Sequence, residues 1–109
     1  MISLLTHALS AGKAKHIGVS NCSEYTLSKI LPFATIKPAV NQIELHPYLP
    51  QVKLVEYLKS EGIVVQAYSP FGSTGTPILK EDAIIELAKN HGVEPAQIVI
   101  GWFSKYRMC

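Results

Sequence analysis

Apolar residues along this chain follow two alternating spacings. Short greasy runs occur at "HIGVSN" (16–21), "PAVNQIEL" (38–45) and "IVVQAYS" (63–69), and each predicts a strand. Between them apolar residues recur every three or four positions, which predicts helices. Leu27, Ile30 and Leu31 do so in "SEYTLSKILPFA", with Ser23 as the N-cap and Pro32 as the stop. Leu54, Val55 and Leu58 do so in "QVKLVEYLKSEG", with Gly62 as the closing cap. "MISLLTHALSAGKAK" predicts an opening helix, and "KEDAIIELAKNHG" predicts another, closed by Gly92. "EPAQIVIGWFSKY" reads as a helix with Pro95 at its first position, although its dense apolar run also fits a strand.

Strands alternating with helices imply an α/β fold with parallel pairing and right-handed crossovers. The strands are short and mostly apolar, as expected when both faces are covered. The pattern fits a barrel segment and an open doubly wound sheet alike. Three parallel strands leave two unpaired edges, which are sticky unless another element covers them. The sequence therefore reads as a portion of a larger domain, one partial domain over residues 1–109.

Composition narrows the function classes. The 109 residues are 48% hydrophobic, enough for a core and too rich for disorder. Net charge is +2 with 17% charged residues and no basic cluster, so nucleic acid is not an expected partner. No apolar run is long enough for a membrane span, and no basic segment precedes the N-terminal apolar stretch as a signal peptide would require. Cys22 and Cys109 suit a reduced, cytoplasmic setting, and nothing in the pattern supports a disulfide between them. His7, His16, His46 and His91 lack metal-ligand spacing, so no metal site is expected. His46, before Pro47, reads as a turn residue. The dipole of a helix end accounts for His91, and a helix start accounts for Asp82.

In parallel α/β folds ligands gather at the C-terminal ends of the strands. Those ends carry Ser20 and Asn21, then Asn41 and Gln42, then Tyr68 and Ser69. Neutral amides and hydroxyls suit a carboxamide, which needs an acceptor for its NH2 and a donor for its carbonyl. Tyr68 offers a flat face for a heteroaromatic ring. The Ser, Thr, Gly and Pro loop from 69 to 77 offers backbone N–H groups and hydroxyls for a pyrophosphate, although GxGxxG and the P-loop lysine are absent. Asn41 reads as structural and Gln42 as functional.

"GKAKHIGVSNCS", "PAVNQIELHPYLPQ" and "GIVVQAYSPFGS", in this order and spacing, closely resemble the aldo-keto reductases. "SPFGSTG" followed by "HGVEPAQIVIGW" is most similar to fungal members, and the resemblance runs from about residue 9 to residue 103. It implies a segment of a TIM (β/α)8 barrel, with about three parallel strands, their helices and one extra helix. The implied activity is reduction of aldehydes or ketones with a nicotinamide cofactor, usually NADPH, with NADH also compatible. By resemblance Ser20, Asn21 and Gln42 hold the nicotinamide carboxamide, and Tyr68 stacks on the ring. Ser69, Phe71 (through its backbone) and Ser73 lie along the pyrophosphate. Phe71 replaces the leucine usual there, and Cys22 stands where phenylalanine is common. The family's catalytic aspartate, tyrosine, lysine and histidine precede the part covered here, and its 2′-phosphate segment follows it. No catalytic residue is therefore assigned, and the chain alone is expected to be inactive. The competing expectation is a non-catalytic interaction protein built on the same barrel segment, as the potassium-channel β subunits suggest for this fold.

Overall fold

A computed structural model describes residues 2–73 and 75–105. Helix α1 spans Ile2–Ser10, strand β1 Gly18–Ser20, helix α2 Glu24–Ile30, strand β2 Val40–Glu44, helix α3 Val52–Ser60 and strand β3 Val64–Tyr68. Helices α4, Asp82–His91, and α5, Pro95–Ser104, follow, and 3-10 turns cover Leu31–Phe33 and Ile78–Lys80. Cys109 lies outside the described residues. Among those residues no helix is long and apolar enough to cross a membrane, and no three metal-ligating side chains cluster.

Local chemistry accounts for the helix ends. Ser23 sits in extended geometry before α2, and its hydroxyl accepts the Thr26 N–H at 3.2 Å. The α-helix ends at Ile30 and tightens into the 3-10 turn that holds Pro32, whose nitrogen has no hydrogen to donate to an interior helical bond. The chain leaves α3 through Gly62 at φ +68°. There Ile63 N–H donates to the Leu58 carbonyl at 2.8 Å and Gly62 N–H to that of Lys59 at 3.0 Å. This closing pair favours glycine because the position is left-handed. Gly92 closes α4 in the same way, through Val93 N–H to Ala88 and Gly92 N–H to Lys89.

The segment open to either reading is a helix. Glu94 and Gln97 form a capping box around Pro95, and Val99 and Phe103, four residues apart, are buried. Trp102 meets Phe103 edge to face at 5.1 Å.

The strands form one sheet in the order β1-β2-β3. β1 and β2 run parallel, pairing Gly18 with Val40, Val19 with Asn41 and Ser20 with Gln42. The chain divides into two compact units, Met1–Ile43 with Val52–Gln66 and Glu44–Gln51 with Ala67–Cys109. In the first, Val64 N–H donates to Ala39 at 2.9 Å, and Ile17, Leu27, Ile43, Val55, Leu58, Ile63 and Val65 are buried. In the second, Leu45 N–H donates to Tyr68 at 3.3 Å, and Leu45, Ile78, Ala88, Val99 and Phe103 are buried.

The apolar strands led to an expectation of two covered faces; the burial is one-sided. Asn41 and Ile43 are buried, whereas Val40, Gln42 and Glu44 are half-buried. Val65 is buried between exposed Val64 and Gln66. Period-two alternation therefore puts Gln42 and Glu44 on the more open face and Asn41 on the covered one.

Asn41 is fully buried and grips one residue across the sheet. Its Nδ2 donates to the Cys22 carbonyl at 2.7 Å, and its Oδ1 accepts the Cys22 N–H at 3.3 Å. The amide thus replaces a further rung of the ladder where β1 has ended, as the structural reading of Asn41 anticipates. Gly18 marks the other constraint. A Cβ there would lie 2.4 Å from Val40 Cγ1 and 3.0 Å from the Val40 carbonyl oxygen.

Two outcomes follow for urea unfolding of the chain. Asn41→Asp keeps the size but sets a carboxylate against the Cys22 carbonyl, and should cost about 1–3 kcal/mol. Gly18→Ala should cost about 1–3 kcal/mol through overpacking. A midpoint unchanged in either variant would contradict the corresponding contact.

Candidate functional site

In the first unit the ends of β1 and β2 converge on one carbonyl. The Ser20 hydroxyl donates to the Gln42 carbonyl at 3.0 Å, and the Asn21 N–H donates to the same oxygen at 2.8 Å. Asn21 takes φ +54°, a left-handed conformation that asparagine tolerates better than most residues. The Asn41 grip on Cys22 holds the chain immediately after it. Ser20, Asn21 and Gln42 are therefore brought together. Among the described residues no protein group bonds the side-chain amide of Asn21 or Gln42, so both can serve a ligand. Ser20 has spent its hydroxyl proton, which leaves it an acceptor. One hydroxyl acceptor beside two amides matches the needs of a primary carboxamide. Burial pushes the Cys22 thiol pKa up, which disfavours the thiolate.

In the second unit β3 ends at half-buried Tyr68, and two short turns follow. Gly72 N–H donates to Ser69 at 2.8 Å, and Thr76 N–H donates to Ser73 at 3.0 Å. Ser69 holds φ +49°, which for serine is a strained setting of the kind that gathers at ligand contacts. Gly72, at φ +82°, packs so closely that a Cβ would meet Thr76 Cγ2 at 2.6 Å. The turns use the amides of Gly72 and Thr76. Among the described residues those of Ser69, Phe71 and Ser73 have no acceptor. A row of unpaired N–H groups on a turn is suited to an anion. Beside them Phe71, Gly75, Thr76, Pro77, Leu79 and Lys80 line an open groove of about 390 Å³, which brings one cation to the loop.

Glu44 was not singled out in the sequence, yet it organises this unit. Its Oε1 accepts the Ser73 hydroxyl at 2.6 Å and lies 3.2 Å from His46 Nε2, while its carbonyl accepts from the Gln51 side chain. The signal was the strand period, since Glu44 follows Gln42 by two on the open face. Hydrogen bonds from Ser73 and then His46 hold its pKa below the ordinary carboxylate value. A lowered folded value means that this stabilisation is present above the unfolded pKa. It is lost as pH falls through the folded one.

His46 is buried and sits in the tight turn expected of it, exchanging main-chain bonds with Leu49 at 3.3 and 2.8 Å. Among the described residues its Nδ1 has no partner. The proton therefore belongs on Nε2, facing Glu44, because a bare lone pair is cheaper to bury than an unpaired N–H. Tyr48 donates to Glu81, and that bond raises the tyrosine pKa.

The model of the Aldo/keto reductase family matches residues 1–108. Aldehyde reductase YPR1 of Saccharomyces cerevisiae is 52% identical over 101 residues, covering 91% of this chain and 32% of that protein. Glycerol 2-dehydrogenase (NADP(+)) of the same yeast is 48% identical, with 91% and 32% covered. Among solved structures, the aldose reductase from Giardia lamblia superposes at a TM-score of 0.92 with 34% identity, covering 98% of this chain and 36% of that one. An aldo-keto reductase complexed with NADPH superposes at 0.83 with 32% identity, covering 93% and 34%. The chain thus spans about a third of the length of the curated relatives it matches. Its three strands and their helices are a segment of the (β/α)8 barrel, and the chain belongs to the aldo/keto reductase family.

Proposed function

We propose that this chain supplies the nicotinamide and diphosphate contacts of an NAD(P)H-dependent carbonyl reductase. It would be one partial barrel domain of a cytoplasmic enzyme that converts aldehydes or ketones to alcohols. The observation that carries the reading is the run of unpaired amides at Ser69, Phe71 and Ser73, immediately after Tyr68. The paired amides beside Ser20 support it from the first unit. The relatives support it too: their names include an aldehyde reductase and an NADP(+)-linked glycerol dehydrogenase. The preferred cofactor is NADPH. D-xylose reductases named for NAD(P)H are also similar, so NADH stays compatible.

The residues present fit the group. Asn21 and Gln42 donate to and accept from the carboxamide, and Ser20 accepts from its NH2. Tyr68 presents a ring face that excludes water from one side of the pyridine. The amides of Ser69, Phe71 and Ser73 neutralise diphosphate oxygens, so Phe71 acts through its main chain and its departure from leucine is tolerated. The bound cofactor supplies the hydride. No side chain of this chain is assigned to proton donation, and a carbonyl oxygen that gains a hydride needs a proton.

A second reading rests on the sheet order, in which, among the described residues, β1 and β3 each have one neighbour. Free strand edges of this kind can pair with a full-length relative, making the chain a regulatory partner without catalysis. Co-purification of the two chains tests it: separate elution removes this alternative.

Titration by NADPH fluorescence tests the first reading. Tyr68→Ala should weaken NADPH binding about tenfold, from the loss of stacking and buried area. Gln42→Leu should weaken NADPH but leave ADP, which lacks the nicotinamide, unchanged. Equal losses for both ligands would remove Gln42 from the carboxamide. The purified chain should not turn over a simple aldehyde with NADPH above the buffer rate; turnover would place a proton donor within these 109 residues.

A further inference from the structure

We propose that Glu44 is a built-in competitor for the Ser73 hydroxyl, one that the cofactor diphosphate must displace, so that Glu44 sets how readily the cofactor is released. The inference rests on the reading above, in which the loop after β3 holds the diphosphate.

Ser73 has one hydroxyl proton, and it goes to Glu44 Oε1 at 2.6 Å. The contact is short because the acceptor is charged. A diphosphate oxygen is also an anionic acceptor, and one proton cannot serve both. Glu44 is not free to swing aside. His46 Nε2 lies 3.2 Å from the same oxygen, and Gln51 bonds the Glu44 main chain. His46 is itself buried within its turn, which steadies the donor that holds the carboxylate. Binding therefore either breaks the Ser73–Glu44 bond or forgoes the Ser73 hydroxyl. In both cases a fixed negative charge stays beside the incoming phosphates. The loop thus carries attraction and opposition together. Its amides and Lys80 draw the anion in, while Glu44 limits how tightly it is held. Glu44 is a positioning residue here; it touches the loop and takes no part in hydride or proton transfer.

The test uses the full chain with NADPH, comparing Glu44→Gln, Ser73→Ala and the double variant. Glutamine keeps the shape, and its oxygen can still accept from both Ser73 and His46, so the fold is preserved while the charge is removed. Glu44→Gln should tighten NADPH binding about three- to tenfold, chiefly through a slower off-rate. In the Ser73→Ala background that gain should shrink to the part that the charge alone contributes, because the competition for the hydroxyl is gone. An equal gain in both backgrounds would show plain charge repulsion and overturn the competition.

A second arm needs no cofactor. Amide exchange at Gly72 and Thr76 in the free chain should quicken in Glu44→Gln, because the loop loses its charged anchor. Unchanged exchange overturns the anchor itself. If the loop loosens yet NADPH affinity is unmoved, Glu44 anchors the loop without competing, and the inference fails while the cofactor reading stands. If the wild-type chain does not bind NADPH at all, both fail together.

Discussion

The grip of the Asn41 amide on Cys22 is the contact on which the geometry after β1 in the first unit depends. β1 has only three residues, so its ladder runs out at Ser20. A buried carboxamide bonding both main-chain groups of Cys22 carries the sheet's order one step beyond the last regular pair. Asn21 is then held at positive φ with its N–H on the Gln42 carbonyl, and its side chain is left unpaired. Were that amide replaced by an apolar group, the two main-chain polar groups of half-buried Cys22 would lose this partner, and the turn at Asn21 would lose its anchor.

The second unit relies on charge rather than on a neutral amide. Glu44 gathers Ser73 and His46 on one carboxylate oxygen and Gln51 on its main chain, tying a glycine-containing loop to the end of a strand. Among the described residues the main-chain turns of the loop use the amides of Gly72 and Thr76 and leave those of Ser69, Phe71 and Ser73 without an acceptor. In the proposed reading the carboxylate that orders this loop also opposes the anion the loop attracts, because ordering and binding draw on the same few hydrogen-bond donors.

Much of this organisation could be read from the chain. Ser23, Gly62, Gly92 and Pro95 mark their helix ends because capping is local: the partners lie within five residues of each other. The three strands and most helices follow from apolar spacing for the same reason. In the structure Asn41 and Gln42, neighbours of like chemistry, lie on opposite faces of one strand, Asn41 buried and Gln42 half-buried. The apolar pattern misjudged the cover of those strands. Val64 and Val40 are as apolar as any core residue yet remain partly exposed, since hydrophobicity fits a residue for burial without supplying the surface to bury it against.

By itself the sequence determined the α/β alternation, the helix boundaries, the residue types gathered at strand ends and, through its three motifs, the family. Only the tertiary structure decided which of those groups are already engaged. Ser20 has given its proton to Gln42, Ser73 has given its own to Glu44, and Asn41 is fully committed to Cys22. The physical reason is distance along the chain. These bonds join residues 19 to 29 positions apart, and whether a donor is free depends on what folding brings within 3 Å of it, which no local spacing records.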